Sequence, residues 1–291
     1  MSIEPKLRVG HIPYLNCEPF FHYLRDKGFN GQILSGVPSA LNRMLQTGEV
    51  DISPSSSFEY LRNSQDYLLL PEVSISSCGP VQSVLLFSPC PPEKLLGQAI
   101  AITGESATSI NLLRVLLREF YAHPQVLDFV PAGPAEALIA ARQPVLLIGD
   151  RAMKQARLLP SGMQIYDLGA LWFQHTGLPF VFALWIMRRA AARDKTDALH
   201  LLHQQLKKSL ALSLQQLPQL AEETPLHQKL NLQTGELVQY WQTINYQLTP
   251  QHLEGLKKFA QLCLKHQFIA QEPQIEFFTD IQLTESHESL R

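Results

Sequence analysis

Short apolar segments alternate with amphipathic ones through the first sixty residues, and this alternation constrains the fold more than any other feature. Apolar runs bounded by turn residues predict strands, whereas apolar residues three or four apart predict helices. The predicted order is a strand at 7–12, a helix from Pro19, a strand at 32–37, a helix from Ser39, a strand at 50–54 and a helix after Ser55. Regular alternation of this kind is typical of α/β proteins.

A second alternating unit follows a cluster of prolines at 88–92. Proline cannot donate to a sheet, so the cluster ends the strand predicted at 81–87 and indicates a boundary between two lobes. Further strands are predicted at 99–103, 126–131 and 145–148, and the last of these runs directly into Gly149-Asp150.

An apolar strand at 181–187 follows the turn Thr176-Gly177-Leu178-Pro179, which indicates a second crossing between lobes. The sequence therefore predicts a discontinuous lobe one, residues 1–88 plus 181–291, and a lobe two at 89–180, with a hinge and a central cleft. A single doubly wound domain is the alternative. Gly48 is predicted to end the helix from Ser39, and Thr249 is predicted to cap a last helix that begins at Pro250. The tail from Gln271 is polar and weakly patterned, which predicts a frayed end.

Charge and composition narrow the class of ligand. The 291 residues carry 24 basic and 26 acidic side chains, a net charge of −2, so nothing favours binding to nucleic acid or to a membrane surface. No apolar run approaches the ~20 residues of a membrane span. We expect a small molecule or a protein as the partner.

Four scattered cysteines indicate free thiols in a reducing compartment. They form no CxxC pair, so no metal site is predicted. The first six residues lack the apolar segment of a secretory signal. These features predict a cytoplasmic protein, although a processed form would also lack a signal.

Two clusters of hydroxyl side chains lie where predicted helices begin. Ser106, Thr108 and Ser109 follow the strand at 99–103, and Ser55 and Ser56 follow the strand at 50–54. Such residues, with the free N–H groups of a helix start, can bind a carboxylate or phosphate. Ordinary N-capping is the alternative for both clusters. Two such helix starts facing one cleft would suit a dianionic ligand without any arginine.

Asp150 and Asn16 each follow a predicted strand, at the edge where α/β sheets bind ligands. Asp150 is either a functional carboxylate or a cap for nearby N–H groups. Asn16 can orient a hydroxyl or carboxylate, or can form a local Asx-turn. His11 and His175 are better explained as structural or surface residues than as acid–base groups. Nucleotide-binding, hydride-transfer and serine-hydrolase motifs are absent.

Six segments taken together resemble the chorismate dehydratase family of the futalosine pathway of menaquinone biosynthesis. They occur in the family's order between about residues 7 and 270, and they are GHIPYLNCEP (10–19), EVDISP (49–54), SCGPVQS (77–83), ESATS (105–109), LIGDRA (147–152) and YDLGALWFQHTGLPFVFALW (166–185). The sister family, which cleaves cyclic dehypoxanthine futalosine, usually opens with a Ser-Pro-Cys-Pro-Asn motif. This chain has Pro13-Tyr14-Leu15-Asn16 instead, which favours the dehydratase.

The resemblance implies a two-lobed periplasmic-binding-protein type II fold that works as a cytosolic lyase. It implies dehydration of chorismate to 3-[(1-carboxyvinyl)oxy]benzoate, without a metal or an organic cofactor. A binding protein without chemistry and the sister enzyme are the alternatives.

The matched motifs suggest roles for individual residues. Asn16 and Ser77 would orient the substrate and the leaving hydroxide, while Ser106, Thr108 and Ser109 would bind a carboxylate. The substrate's own enolpyruvyl carboxylate can take the C3 proton, with Asp150 as the alternative base. The other predicted substrate contacts are Tyr14, Ser55, Ser56, Thr176 and Gly177.

Overall fold

Strands form two sheets in the computed structural model of this chain, which describes residues 6–225 and 232–279. The first sheet contains β1 (Arg8–His11), β2 (Gln32–Ser35), β3 (Ile52–Ser56), β4 (Tyr67–Ser77), β10 (Phe180–Arg188) and β11 (Asn245–Gln247). The second contains β5 (Val84–Ser88), β6 (Ala99–Ile102), β7 (Leu127–Phe129), β8 (Val145–Ile148) and β9 (Gln164–Asp167). The second sheet is therefore built from the part of the chain between β4 and β10.

Both sheets are mixed. The first has the order β11-β4-β10-β3-β1-β2, in which β1 is parallel to β2 and β3, and β10 is antiparallel to β3 and β4. The second has the order β7-β6-β8-β5-β9, in which β6 is parallel to β7 and β8, and β5 is antiparallel to β8 and β9. The predicted α/β class is confirmed.

Helices surround both sheets. Those between the strands of the two sheets are α1 (Glu18–Phe21), α2 (Pro38–Thr47), α3 (Ser57–Arg62), α4 (Ala107–Phe120), α5 (Glu136–Ala140), α6 (Gly149–Ala156) and α7 (Leu168–Thr176). Those after β10 are α8 (Arg189–Asp194), α9 (Thr196–Gln215), α10 (Leu217–Glu223), α11 (Thr234–Thr243) and α12 (Pro250–Lys265). Short 3₁₀ turns lie at Ser64–Asp66 and Pro92–Lys94.

The chain crosses between the sheets at residues 78–83 and again at 177–179. The proline cluster predicts a first crossing after residue 88, but β5 pairs with β8 and β9 and so belongs to the second sheet. Prolines end a strand whichever sheet it belongs to, so the cluster marks the end of β5 and not the crossing. We therefore propose that lobe one comprises residues 6–77 and 180–279, and lobe two residues 84–176.

Local sequence signals set several helix boundaries. Gly48 ends α2 in the left-handed conformation with φ +82°, as predicted, although α2 begins at Pro38 and not after a Ser39 cap. Pro250 begins α12 as predicted, and the hydroxyl of Thr249 lies 2.7 Å from Nδ1 of His252. These boundaries depend on contacts within one helical turn, which a local pattern records.

The C-terminal segment up to residue 279 is docked and not frayed. The N–H of Leu69 donates to the carbonyl of Glu276 at 2.9 Å, and the N–H of Phe278 donates to the carbonyl of Leu69 at 2.8 Å. The Glu276 carboxylate also accepts from Arg189. Phe278 is buried as well, but its burial and the backbone bonds depend on contacts with distant parts of the chain, which a weak local pattern does not record. The rest of the predicted tail, 280–291, lies outside the described residues.

A buried carboxylate connects the start of β1 to the helices after β10. Asp51 is 2% exposed and accepts hydrogen bonds from the backbone and side chain of Arg8 and, at 2.7 Å, from Lys195. Burial acts to raise the pKa of Asp51, but the bonds from Arg8 and Lys195 outweigh it and lower the pKa below its usual value. The ionised carboxylate therefore stabilises the fold.

Asp51→Asn should destabilise the protein by about 3 kcal/mol at neutral pH, because it leaves two cations near a neutral amide. Stability from a carboxyl with a lowered pKa is present above its unfolded pKa of about 3.9 and is lost as the pH falls through the folded value. Urea unfolding should therefore show a deficit in the variant that shrinks below about pH 4.

Lys207→Gln is the matched control, because it breaks an exposed pair with Glu72. It should cost less than about 1 kcal/mol. Equal losses in the two variants would contradict the role given to the buried pair.

Candidate active site

A cavity lies where the two sheets meet. The space inside it that a water-sized sphere can reach is about 60 Å³, so the lobes lie close together around it. Its walls come from the ends of β1, β3 and β8, the beginnings of β5 and β10, and the first crossing. The lining residues are Ile12, Tyr14, Asn16, Cys17, Pro38, Ser56, Ile75, Val81, Ser83, Val84, Ser106, Ser109, Ile148, Gly149, Phe182 and Ala183.

Neutral groups provide all the polar character of this wall. Among the described residues that line the cavity, none is Lys, Arg or His, and none is Asp or Glu. An anion in the cavity would therefore be held by hydroxyl, amide and backbone N–H donors. That the cavity binds a dianion stays a prediction.

The loop after β1 carries Asn16 into the cavity. The N–H of Cys17 donates to the carbonyl of Tyr14 at 3.0 Å, and the indole N–H of Trp241 donates to the carbonyl of Leu15 at 2.7 Å. These bonds hold the loop, but Oδ1 of Asn16 is buried and has no hydrogen-bond partner within residues 6–225 and 232–279. A buried amide oxygen without a partner is costly, so a ligand is a natural partner for it.

The start of α4 forms another part of the wall. Ser106 is the N-cap, and its Oγ accepts the N–H of Ser109 at 3.3 Å and lies 3.1 Å from the Ser109 hydroxyl. Ser106 and Ser109 both line the cavity, so capping and anion binding are compatible here. Thr108 does not line it: its hydroxyl accepts the N–H of Phe58 at 2.9 Å and thereby joins α4 to α3.

The two serines at the end of β3 face different surroundings. Ser56 lines the cavity and caps α3 by accepting the N–H of Glu59 at 3.3 Å. Ser55 is fully buried outside the lining, because successive side chains on a strand point to opposite faces. The geometry thus supports Ser56 alone of this pair as a ligand contact.

Asp150 connects the two lobes at the cavity edge. Its Oδ1 accepts the N–H of Leu15 at 3.2 Å, across the junction between α6 and the loop after β1. Gly149 precedes it with φ +59°, and a Cβ on this glycine would lie 3.2 Å from the Tyr14 ring. Asp150 is not itself among the lining residues, although Gly149 is. The structure therefore gives Asp150 the capping contact that was the alternative to a direct chemical role.

The remaining predicted contacts lie at the crossings and not in the cavity. The Ser77 hydroxyl donates to the carbonyl of Gly79 at 2.8 Å. The Thr176 hydroxyl donates to the carbonyl of Trp172 and accepts the N–H of Leu178, while Gly177 ends α7 with φ +68°. These three residues shape the segments between the sheets and do not line this cavity, whereas Tyr14, the other predicted contact, does. A contact between the three and a substrate stays a prediction.

Ser83 and Cys17 line the cavity but were not predicted as site residues. The Ser83 hydroxyl accepts a hydrogen bond of 3.0 Å from the hydroxyl of the buried Tyr240. Both residues lie inside motifs that carry the family resemblance, SCGPVQS and GHIPYLNCEP, so a signal existed. The motif SCGPVQS contains both Ser77 and Ser83 and does not show which of them lines the cavity, because that depends on the path of the chain through the crossing.

A single carboxylate organises the first crossing. Asp167 caps α7 by accepting the N–H groups of Gly169 and Ala170, and it also accepts those of Val81 and Gln82. Burial raises the pKa of Asp167, and the four N–H donors partly oppose that rise. The segment that carries Ser83 into the cavity is thus fixed by the second lobe.

His11 and His175 have structural surroundings, as the sequence favoured. The His11 ring lies 4.2 Å from the ring of Phe21, and burial lowers the pKa of His11. The His175 ring stacks on Phe120 at 4.5 Å. Neither histidine lines the cavity.

Two mixed sheets, two crossings and a cavity at their junction define the class of two-lobed, periplasmic-binding-protein-like proteins. The chain superposes on the periplasmic aliphatic sulphonate binding protein of Escherichia coli with a TM-score of 0.67 and 14% identity, covering 99% of this chain and 96% of that one. This likeness confirms the predicted fold.

The family follows from the sequence comparison. A family model described as menaquinone biosynthesis matches residues 7–265, so the chain belongs to that family. A chorismate dehydratase of Thermus thermophilus is 37% identical over 87% of this chain and 93% of the relative. A 1,4-dihydroxy-6-naphtoate synthase of the same organism is 26% identical over 72% of this chain and 74% of the relative. The family resemblance stated above is confirmed.

None of the helices in 6–225 and 232–279 is both long enough and apolar enough to cross a bilayer. The same residues contain no group of three or more His, Cys, Asp or Glu side chains placed to hold a metal ion.

Two substitutions of Ser106 test its role as the N-cap of α4. Ser106→Ala should destabilise the protein by about 1 kcal/mol, whereas Ser106→Gly should cost only a few tenths, because glycine is tolerated at an N-cap. Urea unfolding of the two variants measures the difference. Equal costs would contradict the cap geometry at the start of α4.

Proposed function

We propose that this chain is a chorismate dehydratase of menaquinone biosynthesis, converting chorismate to 3-[(1-carboxyvinyl)oxy]benzoate and water. The observation that carries the proposal is the 37% identity to the Thermus thermophilus chorismate dehydratase across 93% of that protein. The cavity between the lobes supports it, since its wall offers neutral hydrogen-bond donors to an anion.

The reaction is the loss of one water from the cyclohexadiene ring. The C4–O bond breaks and the hydroxyl leaves, while the C3–H bond supplies the electrons of the new ring double bond and its proton completes the water. The product ring is aromatic, so formation of the ring drives the reaction forward. No electron acceptor and no second substrate are needed for the atoms to balance, which makes the enzyme a carbon–oxygen lyase.

The two carboxylates of chorismate need two sets of donors. One set is the start of α4, where Ser106 and Ser109 line the cavity and the first-turn N–H groups carry partial positive charge. Asn16, on the opposite lobe, has an amide that can bind the substrate from the other side. Binding from both lobes fixes the reacting bonds and excludes water when the lobes close.

The proton acceptor is assigned to the substrate and not to Asp150. The Asp150 carboxylate is already engaged with the N–H of Leu15, and Asp150 does not line the cavity. The enolpyruvyl group is attached at C3, so its own carboxylate can reach the C3 proton. In this mechanism the protein's contribution is to hold that carboxylate and the leaving hydroxyl in position.

The cavity hydroxyl assigned to the leaving group is that of Ser83. It replaces Ser77, whose hydroxyl is bonded to Gly79 at the crossing. Tyr240 donates to the oxygen of Ser83, and the Ser83 hydroxyl itself donates to the carbonyl of Val81 at 3.4 Å. That bond is longer than the 2.8 Å bond of Ser77, so a departing substrate oxygen in the cavity can compete for the Ser83 proton. Hydrogen bonding to the departing oxygen would lower the barrier to C–O cleavage.

The assay for the proposal is incubation of the purified protein with chorismate, followed by ultraviolet spectroscopy and mass spectrometry. We expect loss of the diene absorption and a product lighter by one water. Binding of chorismate without any spectral change would contradict the proposal and favour a binding protein. The second candidate function is that of the 1,4-dihydroxy-6-naphtoate synthase, which is 26% identical to this chain. Turnover only with the substrate of that enzyme would favour it.

Asp150→Asn tests the assignment of the proton acceptor. Asparagine keeps an oxygen that can accept the N–H of Leu15, so we expect kcat to stay within a few-fold of the original value. A general base contributes about 10²–10⁴-fold, so a loss of about 10² or more would return Asp150 to the role of base. Steady-state kinetics with chorismate gives the answer.

Asn16→Ala is the matched positive control for that measurement. It removes an amide that lines the cavity and whose N–H can donate to a substrate carboxylate, and one hydrogen bond to a charged group contributes roughly 1.5–3 kcal/mol, so kcat/KM should fall by about tenfold or more. Unchanged turnover in this variant would exclude the orienting role given to Asn16.

A further inference from the structure

A chain of charged and polar contacts crosses the mouth of the cavity. The hydroxyl of Tyr14 donates to Oε2 of Glu105 at 3.3 Å. Nη1 of Arg151 donates to Oε1 of the same carboxylate at 2.8 Å, and Arg151 also binds Glu136 through two bonds of 2.8 and 2.9 Å. Glu105 is thus held from one side by Arg151 and presents its other oxygen to Tyr14.

These contacts join the two lobes. Tyr14 follows β1 of the first sheet, whereas Glu105 precedes α4 and Arg151 lies in α6, both beside the second sheet. The Tyr14 ring also packs over Gly149, where a Cβ would come within 3.2 Å of the ring. Tyr14 therefore spans the junction: its ring packs on the start of α6, and its hydroxyl binds the segment before α4.

The same loop carries Asn16, two residues further on. Next to Tyr14, the N–H of Leu15 donates to Asp150 at 3.2 Å. Lobe two therefore binds two consecutive residues of the loop, one through Glu105 and one through Asp150. The position of the Asn16 amide in the cavity depends on both contacts.

We propose that Glu105, oriented by Arg151, is a positioning residue that holds the Tyr14 hydroxyl and thereby fixes the loop that presents Asn16 to the substrate. The proposal rests on the proposed dehydratase function of this cavity. Glu105 does not line the cavity, so it acts through Tyr14 and not on the substrate.

Loss of the Glu105 contact should affect the position of the loop much more than the free energy of unfolding. The side chains of Glu105 and Arg151 are 23% and 41% exposed, and ion pairs at that exposure contribute little to the free energy of unfolding. The Tyr14 phenol remains protonated and able to donate, since burial, followed by the nearby Glu105, raises its pKa. Loss of the contact should therefore change turnover while leaving the protein folded.

A double-mutant cycle on Tyr14→Phe and Glu105→Ala tests the contact through kcat and KM for chorismate. Phenylalanine keeps the ring on Gly149 and removes only the hydroxyl. Each single variant should lower kcat by about tenfold with a smaller change in KM, and the double variant should be no worse than either. Glu105→Gln, which keeps an oxygen for the Tyr14 hydroxyl, should recover part of the loss.

Hydrogen exchange of the amides at 14–17 provides a readout that does not need activity. Glu105→Ala should exchange there several-fold faster than the original protein. Asp128→Asn is the matched control, because it breaks a carboxylate–arginine pair with Arg114 within lobe two, and it should change neither exchange nor kcat.

The outcomes distinguish this proposal from the function on which it rests. If the original protein does not dehydrate chorismate, the function fails while hydrogen exchange still tests the contact. If it does, then additive losses in the cycle, unchanged kcat in both single variants, or unchanged exchange in Glu105→Ala would each overturn the positioning role.

Discussion

The cavity depends on one junction between the lobes, where the loop after β1 meets the first turn of α6. The Leu15 N–H is held by Asp150 of the second lobe, while the carbonyl of the same residue is held by Trp241. An arginine or lysine could attract an anion over several ångströms, but neutral donors act only at hydrogen-bond distance. A cavity whose described lining has no cationic side chain therefore needs its amide and hydroxyl groups placed accurately.

Both crossings are fixed by close approaches that glycine allows. A Cβ on Gly169 of α7 would lie 2.6 Å from the carbonyl oxygen of Gly79 in the first crossing, and one on Gly255 of α12 would lie 2.0 Å from that of Pro179 in the second. Asp167 adds four backbone bonds around the first crossing. The crossings are thus packed against helices, and any closing of the lobes must be absorbed by few residues.

Features that depend on neighbouring residues could be predicted from the sequence, whereas features that depend on distant residues could not. The start of α12 at Pro250 and the cap of α4 at Ser106 depend on neighbours within one turn, and both were predicted. The sheet to which β5 belongs depends on strands up to eighty residues away, and the proline cluster placed the crossing wrongly. The docking of 276–278 on β4 combines backbone hydrogen bonds with burial of Phe278, and a single aromatic residue in a polar tail does not form a periodic pattern.

The site was predictable to the level of motifs and not of single side chains. Asn16, Ser56, Ser106 and Ser109 line the cavity, but Ser55 and Ser77 in the same motifs do not. Neighbouring residues in a strand point to opposite faces of the sheet, so a shift of one position moves a side chain away from the cavity. At a crossing between sheets, the conformation of the turn decides which side chain points into the cavity. The sequence left the role of Asp150 open between base and cap, and its contact with the N–H of Leu15 across the lobes supports the proposed capping role.

A crystal structure with bound 3-[(1-carboxyvinyl)oxy]benzoate would test the central claim most directly. We predict that the product lies in the cavity with one carboxylate at the start of α4, the Asn16 amide bonded to the ligand, and Asp150 still bonded to the N–H of Leu15. A ligand outside the cavity, or an Asp150 carboxylate turned from Leu15 to contact the ring carbon that lost its proton, would contradict it.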